Sequence, residues 1–264
     1  MRPACDHAGF TLIEMIIVIA ITAIVGSMVA VFLRAPLESY VAQDRRARLA
    51  DAADTALRRM ARDIRLALPN SVRVTSVGNV VHLEFLATRS GGRYRAQGGG
   101  DILDFTTADT SFDVLGPPIA MQAGDRIAVY NLGIPGADAW AGDTLADFTG
   151  AAGTTNSIAI APKLLPLASP GNRFQVVDGP VSYVCDPVAG TLTRYWGYSP
   201  AAAQQTSFAA ATPRALLATG ISGCRFTYQP GVTERGGLVS IALALSRDKE
   251  TVRLYAATQV SNQP

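Results

Sequence analysis

The apolar residues divide the chain into a continuous apolar run, an amphipathic segment and a long region with strand periodicity. The run covers Phe10–Leu33, 24 residues with one charged side chain, Glu14. A helix of this length extends about 36 Å, which is enough to cross a hydrocarbon core of about 30 Å. Because a single segment in lipid can satisfy its backbone only as a helix, the run predicts a membrane-spanning helix.

Three other interpretations of this run fit less well. A secretory signal peptide has an apolar region of about 7–15 residues, and the core helix of a soluble protein is also shorter than this run. An ordinary membrane anchor would avoid Glu14, because a carboxylate near the bilayer centre costs about 2.5–3.5 kcal/mol. The presence of Glu14 in the run therefore needs a reason.

A second helical pattern follows, from Leu37 to Leu68. Its apolar residues recur at gaps of three and four, which predicts one buried face. They are Leu49, Ala53, Leu57, Met60, Ile64 and Leu68. Pro36 predicts a kink or a new helical start, and Pro69 predicts the end of the helix. The arginines on the other faces alternate with aspartates, as at Asp54 and Arg58, which favours a solvated face over a nucleic-acid surface.

From Val72 onward the pattern changes to period two with turn residues, which predicts strands. Val72–Val77 and Val80–Ala87 predict a hairpin around Gly78-Asn79. The other predicted strands are Ile102–Thr106, Arg126–Asn131, Ser157–Ala161, Phe174–Val177, Val181–Cys185, Thr191–Trp196, Cys224–Gln229, Leu238–Ser246 and Thr251–Gln259. Arg89–Gly100 and Gly133–Gly153 are predicted loops. The predicted class is α+β, with a long N-terminal helix packed on a strand-rich antiparallel β domain.

The residues around Glu14 explain why a charged side chain occurs in the apolar run. The stretch Gly9-Phe10-Thr11-Leu12-Ile13-Glu14 follows a short polar leader, and it resembles the processing site of type IV prepilins and type II secretion pseudopilins. The resemblance implies that a prepilin peptidase cuts after Gly9 and that the new N-terminus, Phe10, is methylated. It also implies that Glu14 pairs with the terminal amine of a neighbouring subunit, because a charge in lipid is stabilised when it is paired.

This resemblance gives an expected organisation and location. The expected segments are a leader (1–9), a transmembrane and filament-core helix (10–33), an amphipathic helix (34–68) and a periplasmic β-rich domain (69–264). The chain is expected in the bacterial inner membrane as a single-pass protein with its N-terminus in the cytoplasm, and incorporation into an extracellular pilus is a further expectation. Its expected partners are the prepilin peptidase, other major and minor pilins, the inner-membrane assembly platform and the lipid bilayer.

Three cysteines occur in the sequence. Cys185 ends one predicted strand and Cys224 begins another, so a disulfide between them is allowed in a periplasmic domain. This disulfide would close a loop of about 40 residues and contribute roughly 4 kcal/mol to the free energy of unfolding. The alternative is that the two cysteines are free buried thiols. Cys5 lies in the leader and is expected to be lost on processing.

Several later stretches resemble the MshO-type minor pilins of mannose-sensitive haemagglutinin (MSHA) pili. They are Ala52–Val74, Val177–Cys185, Leu192–Tyr198, Gly223–Tyr228, Val252–Tyr255 and Val260–Pro264. This resemblance implies a minor structural subunit that takes part in the initiation or assembly of an MSHA-like pilus. A J-type minor pseudopilin of a type II secretion system and a tip adhesin are the alternatives.

Enzyme chemistry has little support in the sequence. No catalytic residue, metal site or cofactor is expected, and a net charge of +2 indicates no nucleic-acid partner. His82, the only histidine after the leader, shares a predicted strand face with Glu84 and is interpreted as a surface or cross-strand pair. Two weaker groups are acidic loop residues that could bind calcium and aromatic residues that could bind sugars. The acidic residues are Asp138, Asp143 and Asp147, and the aromatic residues are Tyr183, Tyr195, Trp196 and Tyr198.

Overall fold

The structure is a computed structural model that describes residues 10–231, 236–248 and 250–262, except for the side chains of residues 33–38. In these residues one helix, α1 (Leu12–Arg65), precedes fourteen strands. The strands are β1 (Arg73–Val77), β2 (Val80–Tyr94), β3 (Asp109–Leu115), β4 (Ile119–Met121), β5 (Arg126–Ala128), β6 (Leu145–Asp147), β7 (Gly153–Thr155), β8 (Ser157–Lys163), β9 (Arg173–Asp186), β10 (Thr191–Trp196), β11 (Arg214–Thr219), β12 (Ile221–Gln229), β13 (Gly237–Arg247) and β14 (Glu250–Val260). The α+β class is therefore confirmed.

The chain divides into two compact units, Met1–Arg48 and Leu49–Pro264. The described part of the first unit is helical from Leu12 onward. Pro36 lies inside α1, so the prediction of a new helical start at this residue is wrong. The helix ends at Arg65, a few residues before the predicted boundary at Pro69.

The second unit is built on antiparallel sheets. The largest has the strand order β11-β10-β9-β2-β3-β8, with β1 added to β2 and with β5 and β6 added beside β9. Its longest ladder joins β2 to β9 and places Leu83 opposite Tyr183. Two smaller sheets have the orders β12-β13-β14 and β4-β7.

One core cluster joins the C-terminal part of α1 to two sheets. The helix contributes the face that its spacing predicts, including Met60 and Ile64, which are fully buried. Leu83 comes from the largest sheet, and Ile241 comes from the three-stranded sheet. Each fully buried side chain of this size contributes about 1.5–3 kcal/mol, so this face of the helix is held by burial more than by helix propensity.

A second core cluster lies under the other end of the large sheet. Tyr94, Phe112 and Phe174 are fully buried there. The rings of Phe112 and Phe174 meet edge to face with their centroids 5.3 Å apart, a favoured aromatic geometry. This cluster is formed by the strands and loops between β2 and β9, a region in which the sequence pattern identified few strands.

The predicted loop Arg89–Gly100 is wrong over its first half, because β2 continues through Gly91 and Gly92 to Tyr94. A Cβ atom on Gly91 would lie 2.8 Å from the carbonyl oxygen of Phe174, and one on Gly92 would lie 2.7 Å from Cδ1 of Ile119. The two glycines are therefore required by close packing within a strand and do not mark a loop.

Other strand boundaries also differ from the prediction. Thr191–Trp196 is a strand with the predicted bounds, whereas Phe174–Val177 and Val181–Cys185 are two parts of β9. The predicted strand Ile102–Thr106 is wrong. Asp104 instead accepts hydrogen bonds from the backbone N–H and the hydroxyl of Thr106, as in an Asx turn. The strands that the pattern did not predict are β3, β4, β6, β7 and β11.

Candidate functional site

The start of α1 carries the residues of the processing resemblance. Thr11 caps the helix: its Oγ1 accepts a hydrogen bond from the backbone N–H of Glu14 at 3.4 Å, and its carbonyl accepts one from Met15 at 3.2 Å. The cap at Thr11 was not predicted, and the local signal for it is the Thr-x-x-Glu spacing of a capping box from Thr11 to Glu14. A carboxylate in the first turn also interacts favourably with the positive end of the helix dipole. Gly9 lies outside the described residues, and Phe10 is the first residue that the structure describes.

The hydroxyl groups in the apolar run bond to their own helix. Thr22 donates to the carbonyl of Val18 at 2.7 Å, and Ser27 donates to the carbonyl of Ile24 at 2.7 Å. Such bonds satisfy polar side chains without any external partner. Glu14 differs, because its carboxylate has no hydrogen-bond or ion-pair partner among the residues that the structure describes. It is thus the one charged group of the run that is left for a partner from outside.

The apolar surface of this segment is uncovered. Leu12–Phe32 has a mean hydropathy of 2.7 and is not buried anywhere along its length, so it is long and apolar enough to span a membrane. The exposed fraction reaches 80% at Leu12 and 82% at Phe32. An apolar surface of this size requires lipid or other apolar helices around it.

Farther along α1, Asp63 ties the helix to the large sheet. Its Oδ2 accepts hydrogen bonds from the hydroxyl of Tyr183 at 2.7 Å and from Nε of Arg194 at 2.8 Å. Its Oδ1 lies 3.2 Å from Nε of Arg59, one helical turn away. Burial of Tyr183, together with the adjacent Asp63 carboxylate, raises the pKa of the tyrosine. The phenol therefore remains a neutral donor.

A disulfide joins Cys185 on β9 to Cys224 on β12, as the sequence allowed. Cys185 is completely buried in the first core cluster, and Cys224 packs against that cluster. The bond therefore links the largest sheet to the three-stranded sheet. The alternative of two free buried thiols is wrong.

A second polar cluster lies on the sheet face opposite α1. Glu84 is completely buried and pairs with Arg73 at 2.6 Å. Arg73 also donates to backbone carbonyls of the strap, which we define as residues 197–213 between β10 and β11. Tyr198 of the strap donates to Glu84 at 2.7 Å, and burial followed by the nearby carboxylate raises the pKa of this tyrosine. The cluster therefore holds the strap on the sheet.

The interpretation of His82 and Glu84 as surface residues is wrong, whereas Glu84 does form a cross-strand pair, with Arg73 opposite it on β1. Both side chains are buried beside the strap, and Gln204 donates to the carbonyl of His82 at 3.2 Å. Nδ1 of His82 has no hydrogen-bond partner, and burial lowers the pKa of the imidazole. The Glu84 carboxylate is bonded to Arg73 and Tyr198.

The aromatic residues considered for sugar binding lie in two places. Tyr183 is in the core, where it bonds Asp63 and stacks on Phe85. Tyr195 and Tyr198 both contact Phe208 of the strap, with ring centroids 4.2 and 5.3 Å apart. One ring face of Tyr195 is thus covered by Phe208, and the hydroxyl of Tyr198 donates to Glu84.

The acidic loop residues have local partners. Asp138 accepts a hydrogen bond from the backbone of Trp140 at 3.0 Å, and Asp143 accepts one from the backbone of Asp138 at 3.2 Å. Asp147 pairs with Arg126 at 2.7 Å. Within the described residues, no group of three or more histidine, cysteine or acidic side chains is arranged to hold a metal ion.

Residues 6–30 match the family described as the prokaryotic N-terminal methylation motif. The chain therefore carries the N-terminal signal of type IV pilins and pseudopilins, a class of structural subunits that a prepilin peptidase processes and that assemble with other pilins. The motif and the single apolar helix fit a protein anchored in the inner membrane with a C-terminal domain. No curated protein and no solved structure matches the chain.

Proposed function

We propose that the chain is a minor type IV pilin-like structural subunit that takes part in the initiation or assembly of an MSHA-like pilus. A prepilin peptidase cuts it after Gly9, and Phe10 becomes the methylated N-terminus. The C-terminal domain lies in the periplasm, and the subunit contacts the inner-membrane assembly platform and other pilins. The methylation motif at the start of an uncovered apolar helix is the observation that carries this proposal.

Glu14 is the residue that would set the docking register. Its carboxylate is the only charged group in the apolar run, and it lies in the first turn beside the capped helix start. Cleavage after Gly9 would create a positive amine at Phe10, about one turn away. A neighbouring subunit that brings such an amine to Glu14 pairs both charges at once, whereas a displaced helix leaves both unpaired in an apolar environment.

The size of the β-rich unit supports a minor subunit over a repeated one. The second unit covers Leu49–Pro264, and it contains a disulfide and three sheets within the described residues. A domain of this bulk is difficult to repeat densely along a thin fibre. The resemblance of β9, β10, β12 and β14 to MshO-type segments supports the MSHA-like system over a J-type pseudopilin, which is the second candidate.

The processing step is tested by the intact mass of the full chain from membranes, with and without a co-expressed prepilin peptidase. The expected product lacks residues 1–9 and carries one additional methyl group. Gly9→Val is expected to remain uncut, because a branched side chain replaces the small residue at the cleaved bond. An uncut wild-type chain in the presence of an active peptidase would disprove the proposal.

Assembly is tested separately with Glu14→Ala in a strain that lacks the wild-type chain. We expect the variant to be cleaved but to be absent from the sheared filament fraction. Thr22→Ala is the matched control, because the Thr22 hydroxyl bonds to its own helix and removing it leaves no unpaired charge. Loss of surface pili in the deletion strain supports the pilus role, whereas normal pili with defective protein secretion would indicate the pseudopilin.

A further inference from the structure

A polar cleft of about 440 Å³ opens in the second unit. Its walls are the turn around Trp140, the end of β6, the end of β8 and Pro200 of the strap. This volume lies in the range of about 300–1,000 Å³ that is usual for small-molecule sites. Processing and docking of the N-terminal helix use none of its residues, so the cleft needs an explanation of its own.

Three charged side chains line the cleft. Nε of Arg126 donates to Oδ1 of Asp147 at 2.7 Å, and the Asp147 side chain is 67% exposed, so the carboxylate can accept further hydrogen bonds. Nζ of Lys163 donates to the carbonyl of Gly142 at 2.7 Å. No carboxylate lies within ion-pair distance of Lys163 in the part of the chain that the structure describes. Its cross-strand neighbour Asp109 instead accepts hydrogen bonds from the backbone N–H groups of Asp104 and Thr110. Since an ammonium carries three donors, Lys163 keeps donors for a ligand.

The apolar wall is held in place. The indole N–H of Trp140 donates to the carbonyl of Ser71 at 2.9 Å, and the guanidinium carbon of Arg73 lies 3.6 Å from the centroid of the indole ring. Arg73 is itself fixed by its ion pair with Glu84. A wall and charged groups with such internal partners lose little freedom when a ligand binds, which favours affinity.

The chemistry of the lining defines the ligand. A simple anion would pair with Lys163 but has no hydroxyl group to donate to Asp147. A neutral polyol could donate to Asp147 and accept from Arg126 but would leave Lys163 without a counter-charge. We propose that the cleft binds a small acidic sugar, with its carboxylate at Lys163 and its hydroxyl groups at Asp147 and Arg126. Such a ligand satisfies all three side chains.

The two lysines of the sequence, Lys163 and Lys249, permit a direct test. The full chain in membranes is treated with an amine-acetylating reagent, and the acetylation rate at each lysine is measured by peptide mass spectrometry. With D-galacturonate present at about ten times its Kd, acetylation of Lys163 should slow about tenfold. Lys249 is the internal control and should react at an unchanged rate.

Variants test whether the protection comes from specific binding in the cleft or from a nonspecific effect of solutes on the reactivity of Lys163. Arg126→Gln and Asp147→Asn each remove one hydroxyl-binding group and should weaken galacturonate protection about tenfold or more, since each breaks a hydrogen bond to a charged group. Arg214→Gln, at the start of β11 and outside the cleft, should leave protection unchanged. Near-UV circular dichroism of each variant checks that the fold is retained.

The choice of probe decides between ligand classes. D-galactose, which lacks the carboxylate, should protect Lys163 at least about tenfold less well than D-galacturonate. Equal protection by both sugars, protection by acetate without protection by galacturonate, or no protection by galacturonate would each overturn the proposal. These outcomes are independent of whether the N-terminus is processed.

Discussion

Replacement of Asp63 by alanine tests whether the C-terminal half of α1 is held on the sheet by one shared carboxylate. The substitution removes the acceptor of Tyr183, at 2.7 Å, and of Arg194, at 2.8 Å. Tyr183 is completely buried, and the Arg194 side chain is 16% exposed. Water therefore has little access to the two donors that the substitution would leave without a partner.

The magnitude follows from these exposures. A buried donor without a partner costs about 1–3 kcal/mol, and an uncompensated buried charge costs about 3–5 kcal/mol. Arg194 retains some contact with water and with the ring of Trp196, so its charge is only partly uncompensated. We therefore expect a total of about 3 kcal/mol, below the roughly 4–8 kcal/mol sum of the two ranges. For a unit of this size that is a fall of about 6–12 °C in Tm.

The assay is denaturant unfolding of the full chain, followed by the fluorescence of Trp140 and Trp196. Asp54→Ala is the matched control, because Asp54 makes one ion pair with Arg58 on the exposed side of the same helix. The control should cost at most about 0.5 kcal/mol, as is usual for exposed pairs one turn apart. If Asp63→Ala costs no more than Asp54→Ala, Asp63 does not hold the helix to the sheet.

Three other predictions concern the second unit. Arg73→Met should lower the free energy of unfolding by about 3–5 kcal/mol in denaturant unfolding, because it leaves buried Glu84 without its ion-pair partner. The double variant Arg73→Met/Glu84→Leu should recover much of this loss. If the single and double variants lose equal stability, the unpaired Glu84 charge is not the cause. Replacing both Cys185 and Cys224 with serine should lower the free energy of unfolding by roughly 4 kcal/mol in oxidising buffer, and reductant should remove the difference from the wild type. Because burial lowers the pKa of His82, the unfolded chain binds a proton at this residue at a higher pH than the folded chain does. The contribution of neutral His82 to the free energy of unfolding is therefore present above pH 6.5 and is lost as the pH falls through the folded-state pKa. His82→Phe should flatten this part of the plot of stability against pH, and an unchanged plot would contradict the assignment.

Several parts of the architecture could be predicted from local sequence patterns. The apolar run required no tertiary information, because its length and composition alone predict a spanning helix. The face of α1 that carries Met60 and Ile64 followed from gaps of three and four residues. The strands near the C-terminus were also predicted, since β13 alternates regularly between core-facing and outward-facing residues.

The interior of the β-rich unit was less predictable, for a physical reason. Gly91 and Gly92 resemble a loop in sequence, but they lie in β2 where Phe174 and Ile119 approach too closely for any Cβ. The register that creates this contact depends on β9, which lies more than eighty residues farther along the chain. No local pattern contains that information.

The candidate site shows the same division. The position of the one charge in the apolar run, Glu14, was evident from the sequence, and the Thr11 cap that starts the helix lies only three residues before it, so its signal is also local. Only the tertiary structure decided which distant polar groups meet. Asp63 and Arg194 are separated by 131 residues, and Arg73 finds carbonyl partners in the strap 128–130 residues away. Such pairings follow from the packing of α1 and the strap on opposite faces of one sheet, because packing brings buried polar groups together irrespective of their distance along the chain.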